Sequence, residues 1–182
     1  MKRRDLLRAA AAAGAGALAI LPRSAEAAWA RVLAGYQTPN GLTAAQHALV
    51  AGIADTILPR TDTPSATDVG VTDWVNLIVA EYYAEDVRAP FIAGLDAIDS
   101  QIRSSRGQSF AELSTAARQE ILAALDAPRD RPTPGERAYA RLKSLVVHGY
   151  FTSERVQRDV LRSQMFHERF QGAADHTVRR TP

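Results

Sequence analysis

The apolar residues of this chain recur at intervals of three and four positions, and no long stretch alternates between apolar and polar residues. This spacing places side chains on one face of an α-helix, whereas a half-buried strand needs a period of two. Segments with this spacing are marked by Leu49 and Ile57, by Trp74 and Tyr82, by Phe91 and Ile102, by Leu113 and Leu125, by Leu142 and Val146, and by Val156 and Met165. We therefore predict an all-α fold, a small bundle of about six helices, with the sixth beginning at Ser153.

Residues that cap helices occur where the apolar periodicity begins or ends. Thr43 with Gln46, and Thr133 with Glu136, match the capping box, in which a hydroxyl and a longer polar side chain satisfy the first free backbone N–H groups. Gly107 follows the third segment and is suited to a left-handed C-terminal cap. These signals predict where three of the helices begin or end.

Ahead of the helical segments stands a leader. It begins with Lys2, Arg3 and Arg4 and continues into residues 9–21, which are rich in Ala and Gly and form too short a stretch for a membrane span. Adjacent arginines followed by leucines are typical of a twin-arginine export signal. We therefore predict export to the periplasm; the alternative is an ordinary secretory signal that happens to begin with two arginines.

Small residues near the end of the leader predict where it is removed. We place cleavage between Ala27 and Ala28, so that residues 1–27 are the signal peptide and 28–182 form a helical domain. An uncleaved leader that stays in the lipid as an anchor is the alternative.

The charge balance and the absence of cysteine exclude several functions. The leader contains five of the 22 basic and two of the 20 acidic residues, so the remaining domain has a formal charge near −1. This charge gives no indication of nucleic-acid binding, which requires a basic surface. Without cysteine there is no disulfide framework, no thiol catalysis, no iron–sulfur ligation and no covalent attachment of haem.

No set of residues forms a recognisable catalytic or metal-binding motif. The histidines are scattered, and the Asp residues between the first two helices lack the rhythm of a calcium loop and suit turns and caps instead. These residues are His47, His148, His167 and His176, and Asp55, Asp62, Asp68 and Asp73. We expect this chain to bind neither metal nor cofactor and to have no catalytic residue.

Two stretches resemble the signatures of a known family. They are IADTILPRTDTPSATDVGVTDWVNLIV at residues 53–79 and HGYFTSERVQRDVLRSQMFHERFQG at residues 148–172. Their order, their separation and the leader ahead of them are similar to those of the gluconate 2-dehydrogenase subunit 3 family.

This resemblance implies a non-catalytic small subunit of a membrane-associated dehydrogenase that oxidises sugars, sugar acids or polyols. In such complexes a large flavoprotein of the glucose–methanol–choline class holds FAD, and a multihaem cytochrome c commonly accepts the electrons. The small subunit escorts the large one through the export route, which explains a twin-arginine leader on a domain without a cofactor. The alternative is a stand-alone periplasmic ligand-binding protein or enzyme, which would need a pocket with convergent polar groups.

The chain departs from the family pattern in two places. Ala173 and Ala174 stand where many members continue into a cysteine, so attachment to the large subunit must be noncovalent. Ser65 stands where members often have glycine, which disfavours a left-handed backbone at that position.

Aromatic residues supply the candidates for partner contacts, because aromatic side chains are frequent anchors at interfaces. The segment 29–40 and the tail after Phe166 are predicted to wrap a partner, since neither has a long periodic helix. The candidates are Trp29, Tyr36, Tyr150, Phe151, Phe166 and Phe170. The alternative for each is a position in the hydrophobic core.

Overall fold

The structure is a computed structural model, and it describes residues 25–36, 38 and 41–162. These residues form α-helices and short helical turns, with no strand among them, which confirms the predicted all-α fold. The α-helices are α1 Ala25–Leu33, α2 Ala44–Ile57, α3 Val71–Glu81, α4 Glu85–Arg106, α5 Thr115–Leu125 and α6 Pro134–Thr152. Short 3₁₀ turns cover Thr67–Val69 and Phe110–Glu112, and a π-helical turn covers Val156–Val160.

Helix α3 lies at the centre of the core. Apolar side chains cover most of its circumference, and Val71, Trp74, Val75 and Ile78 have no exposed surface. A helix that is apolar all round must be surrounded by other elements. Helices α1, α2 and α6 pack against it.

Helices α4 and α6 form the most extensive helix pair, and glycine permits their close approach. A Cβ atom on Gly94 would lie 2.4 Å from the Cβ of Ala138 and 2.7 Å from the backbone oxygen of Pro134. The two backbones therefore pack at a distance that no other residue at position 94 allows.

The predicted caps are confirmed. Thr43 with Gln46 and Thr133 with Glu136 both form complete capping boxes, and Gly107 ends α4 in the left-handed conformation at φ 69°.

The sixth predicted helix begins where it is predicted, but it is short and largely π-helical. Ser153 ends α6 and also caps the next segment, because its hydroxyl accepts from the backbone N–H of Val156 at 3.4 Å and its backbone oxygen from that of Gln157 at 3.0 Å. That segment is π-helical over Val156–Val160 rather than a regular helix. Val156 is fully buried, whereas Leu161 is 47% exposed and so does not share its face. Met165 lies outside the described residues.

Helix α1 was not predicted from the sequence. It covers a region in which alanines dominate, and alanine gives no contrast between a buried and an exposed face. Among the residues that the structure describes, no helix is both long enough and apolar enough to cross a bilayer.

Candidate functional site

Aromatic rings bring helices α1, α3 and α6 together in the core. The ring of Trp29 stacks on that of Trp74, with centroids 6.0 Å apart and planes inclined by 22°. The ring of His148, on α6, lies 5.6 Å from Trp74 on centroids. The indole Nε1 of Trp29 donates a hydrogen bond of 3.1 Å to Oγ1 of Thr152. These four residues fix α1 against the centre of the bundle.

Gly149 is what lets α6 approach Trp74. A Cβ atom at this position would lie 2.8 Å from Cε3 of the indole, closer than real Cβ contacts come. The glycine of the GYF stretch is therefore required by packing and needs no functional role to explain it.

The loop between α2 and α3 is tied to the end of α6. The hydroxyl of Tyr150 donates a 2.8 Å hydrogen bond to the backbone oxygen of Pro64, 86 positions earlier in the chain. Nη1 of Arg155 donates to the backbone oxygen of Asp68 at 3.3 Å. With the contacts of Trp74, these bonds join the two stretches at 53–79 and 148–172 into one junction, named here the signature junction.

Acidic side chains in this loop act as internal acceptors. The carboxylate of Asp55 accepts from the backbone N–H of Thr67 at 2.9 Å and from its hydroxyl at 2.7 Å. The carboxylate of Asp68 accepts from the backbone N–H of Ser65 at 2.8 Å and pairs with Arg60. The backbone N–H of Ser65 holds the pKa of Asp68 below its usual range. These acids therefore shape the loop, as expected for Asp at turns and caps.

The described histidines occupy different environments. His47 forms an exposed pair with Asp73, with Nε2 and Oδ1 3.1 Å apart. His148 is half-buried beside Trp74, and burial lowers its pKa. His167 and His176 lie outside the described residues. Within the part of the chain that the structure describes, no three His, Asp or Glu side chains are grouped as metal ligands would be.

The predicted partner contacts are distributed between core and surface. Trp29 and Tyr150 are 6% and 4% exposed, so the structure places both in the core. Tyr36 is 42% exposed and Phe151 is half-buried, and these two have surface available to a partner. Phe166 and Phe170 lie outside the described residues, as do Arg3 and Arg4 of the predicted export signal.

Exposed apolar surface near the end of α1 was partly missed by the sequence reasoning. Leu33 is 71% exposed, the largest exposure among the large apolar side chains described. Nearby, the guanidinium of Arg31 lies 3.9 Å from the ring centroid of Tyr36, and both side chains bind Glu81, at the end of α3. This surface, Leu33 with Tyr36, is named the α1 patch. The type of an apolar residue does not reveal how exposed its side chain is in the fold. The sequence therefore could not show that Leu33 is more exposed than Trp29.

A groove between the N-terminal halves of α4 and α6 was also missed. It has a volume of about 680 Å³, and Phe91 and Ala138 contribute to its apolar lining. Arg141 lines it too, and its guanidinium lies 5.5 Å from the ring centroid of Tyr83. Burial raises the pKa of Tyr83 to about 12, so this hydroxyl stays neutral. The groove offers apolar and cationic surface, formed by two segments far apart in sequence.

Comparison with known proteins agrees with the resemblance seen in the two signature stretches. The model of a protein family described as gluconate 2-dehydrogenase subunit 3 matches residues 44–167. This match spans α2 to α6 and contains every described residue of the signature junction. No curated protein and no solved structure matches the chain.

Proposed function

Because the chain belongs to the gluconate 2-dehydrogenase subunit 3 family, we propose that it is the non-catalytic small subunit of an exported dehydrogenase complex. The family match carries this proposal. In the proposed complex, a large flavoprotein of the glucose–methanol–choline class binds FAD and oxidises a sugar, sugar acid or polyol. A multihaem cytochrome c would complete the complex and hold it at the membrane.

The role of this chain is to escort and stabilise the large subunit. The paired arginines at positions 3 and 4 form the twin-arginine export signal, and the helical domain binds the partner. A flavoprotein that takes up FAD inside the cell must cross the membrane folded, and this chain provides the route. In the signature junction, Trp74, Tyr150 and Arg155 contact other parts of this chain, which supports a structural rather than a catalytic use of the two signature stretches.

The partner is held without a covalent link, since the chain has no cysteine. We place part of the contact at the α1 patch, because burying large exposed apolar side chains against a partner is favourable in free energy. The tail containing Phe166 and Phe170 is the second proposed contact. Trp29 and Tyr150 stabilise the domain from within.

Substitution of the paired arginines tests the escort role. In the variant with Arg3→Lys and Arg4→Lys, the address is lost while the charge is kept. We expect both this chain and the large subunit to remain in the cytoplasm, as measured by fractionation and immunoblotting. Lys2→Arg is the control, and it should export both subunits normally. Export of the large subunit with the arginine-free variant would refute the escort role.

Charge placed in the α1 patch tests the proposed contact. Leu33→Asp should leave the melting temperature nearly unchanged, because the side chain is exposed, and should weaken retention of the large subunit in a pull-down. Leu161→Asp is the matched control, since it places the same charge at another exposed leucine. Equal retention by the Leu33→Asp variant and the wild-type chain would contradict this location of the interface.

A further inference from the structure

Helix α1 contains the peptide bond at which the leader is predicted to be cut. The bond between Ala27 and Ala28 lies in the first turn of the helix. On its C-terminal side, Ala28 has no exposed surface and Trp29 is 6% exposed. The predicted cleavage site is therefore part of the folded domain.

Contacts from the middle of α1 to its last turn hold the helix in place. At its middle, the ring of Trp29 stacks on Trp74, and Nε1 donates to Oγ1 of Thr152 at 3.1 Å. Near its end, Nη2 of Arg31 lies 3.3 Å from Oε2 of Glu81. Ala28 and Trp29, the two residues after the bond, are both buried, so fraying of the first residues of α1 does not free the chain on both sides of the bond.

A processing peptidase needs the residues around the scissile bond as accessible, extended chain. Segments that are buried and helical resist proteolysis, and they are cut in proportion to the population of the locally opened form. Opening here requires Trp29 to leave the core. A chain exported by the twin-arginine route arrives folded, so α1 is already docked when the chain reaches the peptidase.

We propose that the folded domain protects its own processing site. Docking of α1 withholds the Ala27–Ala28 bond from the export peptidase, so the exported chain keeps residues 1–27. This inference rests on the proposed export of the chain, because only an exported chain meets the peptidase.

A variant with a duplicated site tests this protection without disturbing the core. A second copy of residues 24–28, followed by a flexible Gly/Ser spacer, is inserted ahead of residue 24 in the full chain. Intact mass spectrometry of the exported protein should show the wild-type chain at the full 19.7 kDa. The variant should be cut at the added copy and remain uncut at the original one.

Other outcomes of this experiment overturn the proposal. Wild-type protein beginning at Ala28, or equal cutting of both copies, would show that docking gives no protection. Cutting of neither copy would show that these residues are no substrate, with or without the helix. Retention of the wild-type chain in the cytoplasm would refute the proposed export itself and is distinguished from the other outcomes by fractionation.

Loosening the helix provides a second test. Trp29→Ala removes the stack and the hydrogen bond to Thr152, and it should raise the fraction cut after Ala27 by ~10-fold or more, since cutting follows the opened population. Ala30→Gln, at an exposed position of the same helix outside the α1 patch, is the control and should leave this fraction unchanged. Equal processing of the two variants would contradict the proposal.

Discussion

At the residue scale, single side chains join segments that are distant in sequence. Tyr150 is the clearest example, because its hydroxyl reaches the backbone oxygen of Pro64 at 2.8 Å. The sequence shows a GYF stretch and an acidic loop with two prolines, yet nothing in either indicates that they touch. The same holds for Trp29, which was predicted to face a partner and whose neighbour Trp74 lies on another helix.

Tyr150→Phe measures the contribution of this hydrogen bond. The substitution keeps the ring and leaves the Pro64 oxygen without its donor, so the free energy of unfolding should fall by about 1–3 kcal/mol. Chemical denaturation of the full chain measures it. Tyr36→Phe is the matched control: its hydroxyl makes an exposed 3.4 Å bond to Glu81, and the loss should stay below about 0.5 kcal/mol. Equal losses would show that the loop is not held through Tyr150.

At the scale of elements, the helices that the sequence predicts best are those with both periodic apolar residues and a cap. Helix α6 has a proline at its start, a complete capping box and a buried face, and each of these is a local signal. The sequence of helix α1 has neither a proline at its start nor a capping box, and its alanines are indistinguishable in the sequence from those of a leader. The sequence predicts a regular helix at the π-helical turn because Val156 and Val160 satisfy a four-residue step.

The crossing of α4 and α6 supplies an element-scale prediction. Gly94→Ala improves intrinsic helix propensity by about 1 kcal/mol. It also forces a Cβ against the backbone oxygen of Pro134, which can move only if helix α6 moves with it. We expect a net loss of stability of about 1–3 kcal/mol, measured by denaturation. Gln101→Ala, on the exposed side of α4, is the control and should change stability by less than about 0.5 kcal/mol. A stabilised Gly94→Ala variant would contradict the close packing of the two helices.

At the scale of the whole molecule, the half-buried ring of His148 makes the stability of the fold depend on pH. Burial lowers the pKa of His148 below its ordinary value, so the unfolded chain binds this proton more readily than the folded domain. The stabilisation is therefore complete above about pH 6.5 and is lost as the pH falls from there towards the lowered pKa.

The pH dependence of the melting temperature measures this effect. Between about pH 7.5 and 5.5 the wild-type melting temperature should fall more steeply than that of the His148→Gln variant, whose amide does not titrate. At higher pH the two profiles should run parallel. Parallel profiles across the whole range would show that the ring is not desolvated in the fold.

For the whole molecule, the sequence predicted the fold class and the family, whereas the surface was predicted poorly. Fold class follows from local periodicity, and the family follows from two stretches that the structure joins at the signature junction. The α1 patch and the groove between α4 and α6 arise only when distant segments pack. Exposure of Leu33 and burial of Trp29 are consequences of that packing, and neither is encoded in a short motif.

The central claim is that this chain escorts and stabilises a flavoprotein. The most direct test is a pull-down of the C-terminally tagged full chain from its native periplasm and membranes, with the masses and the absorption spectrum of the eluate recorded. The account predicts a second, larger protein of oxidoreductase size together with flavin absorption bands. A solitary, colourless chain of this protein would contradict the account and would direct attention to a stand-alone function.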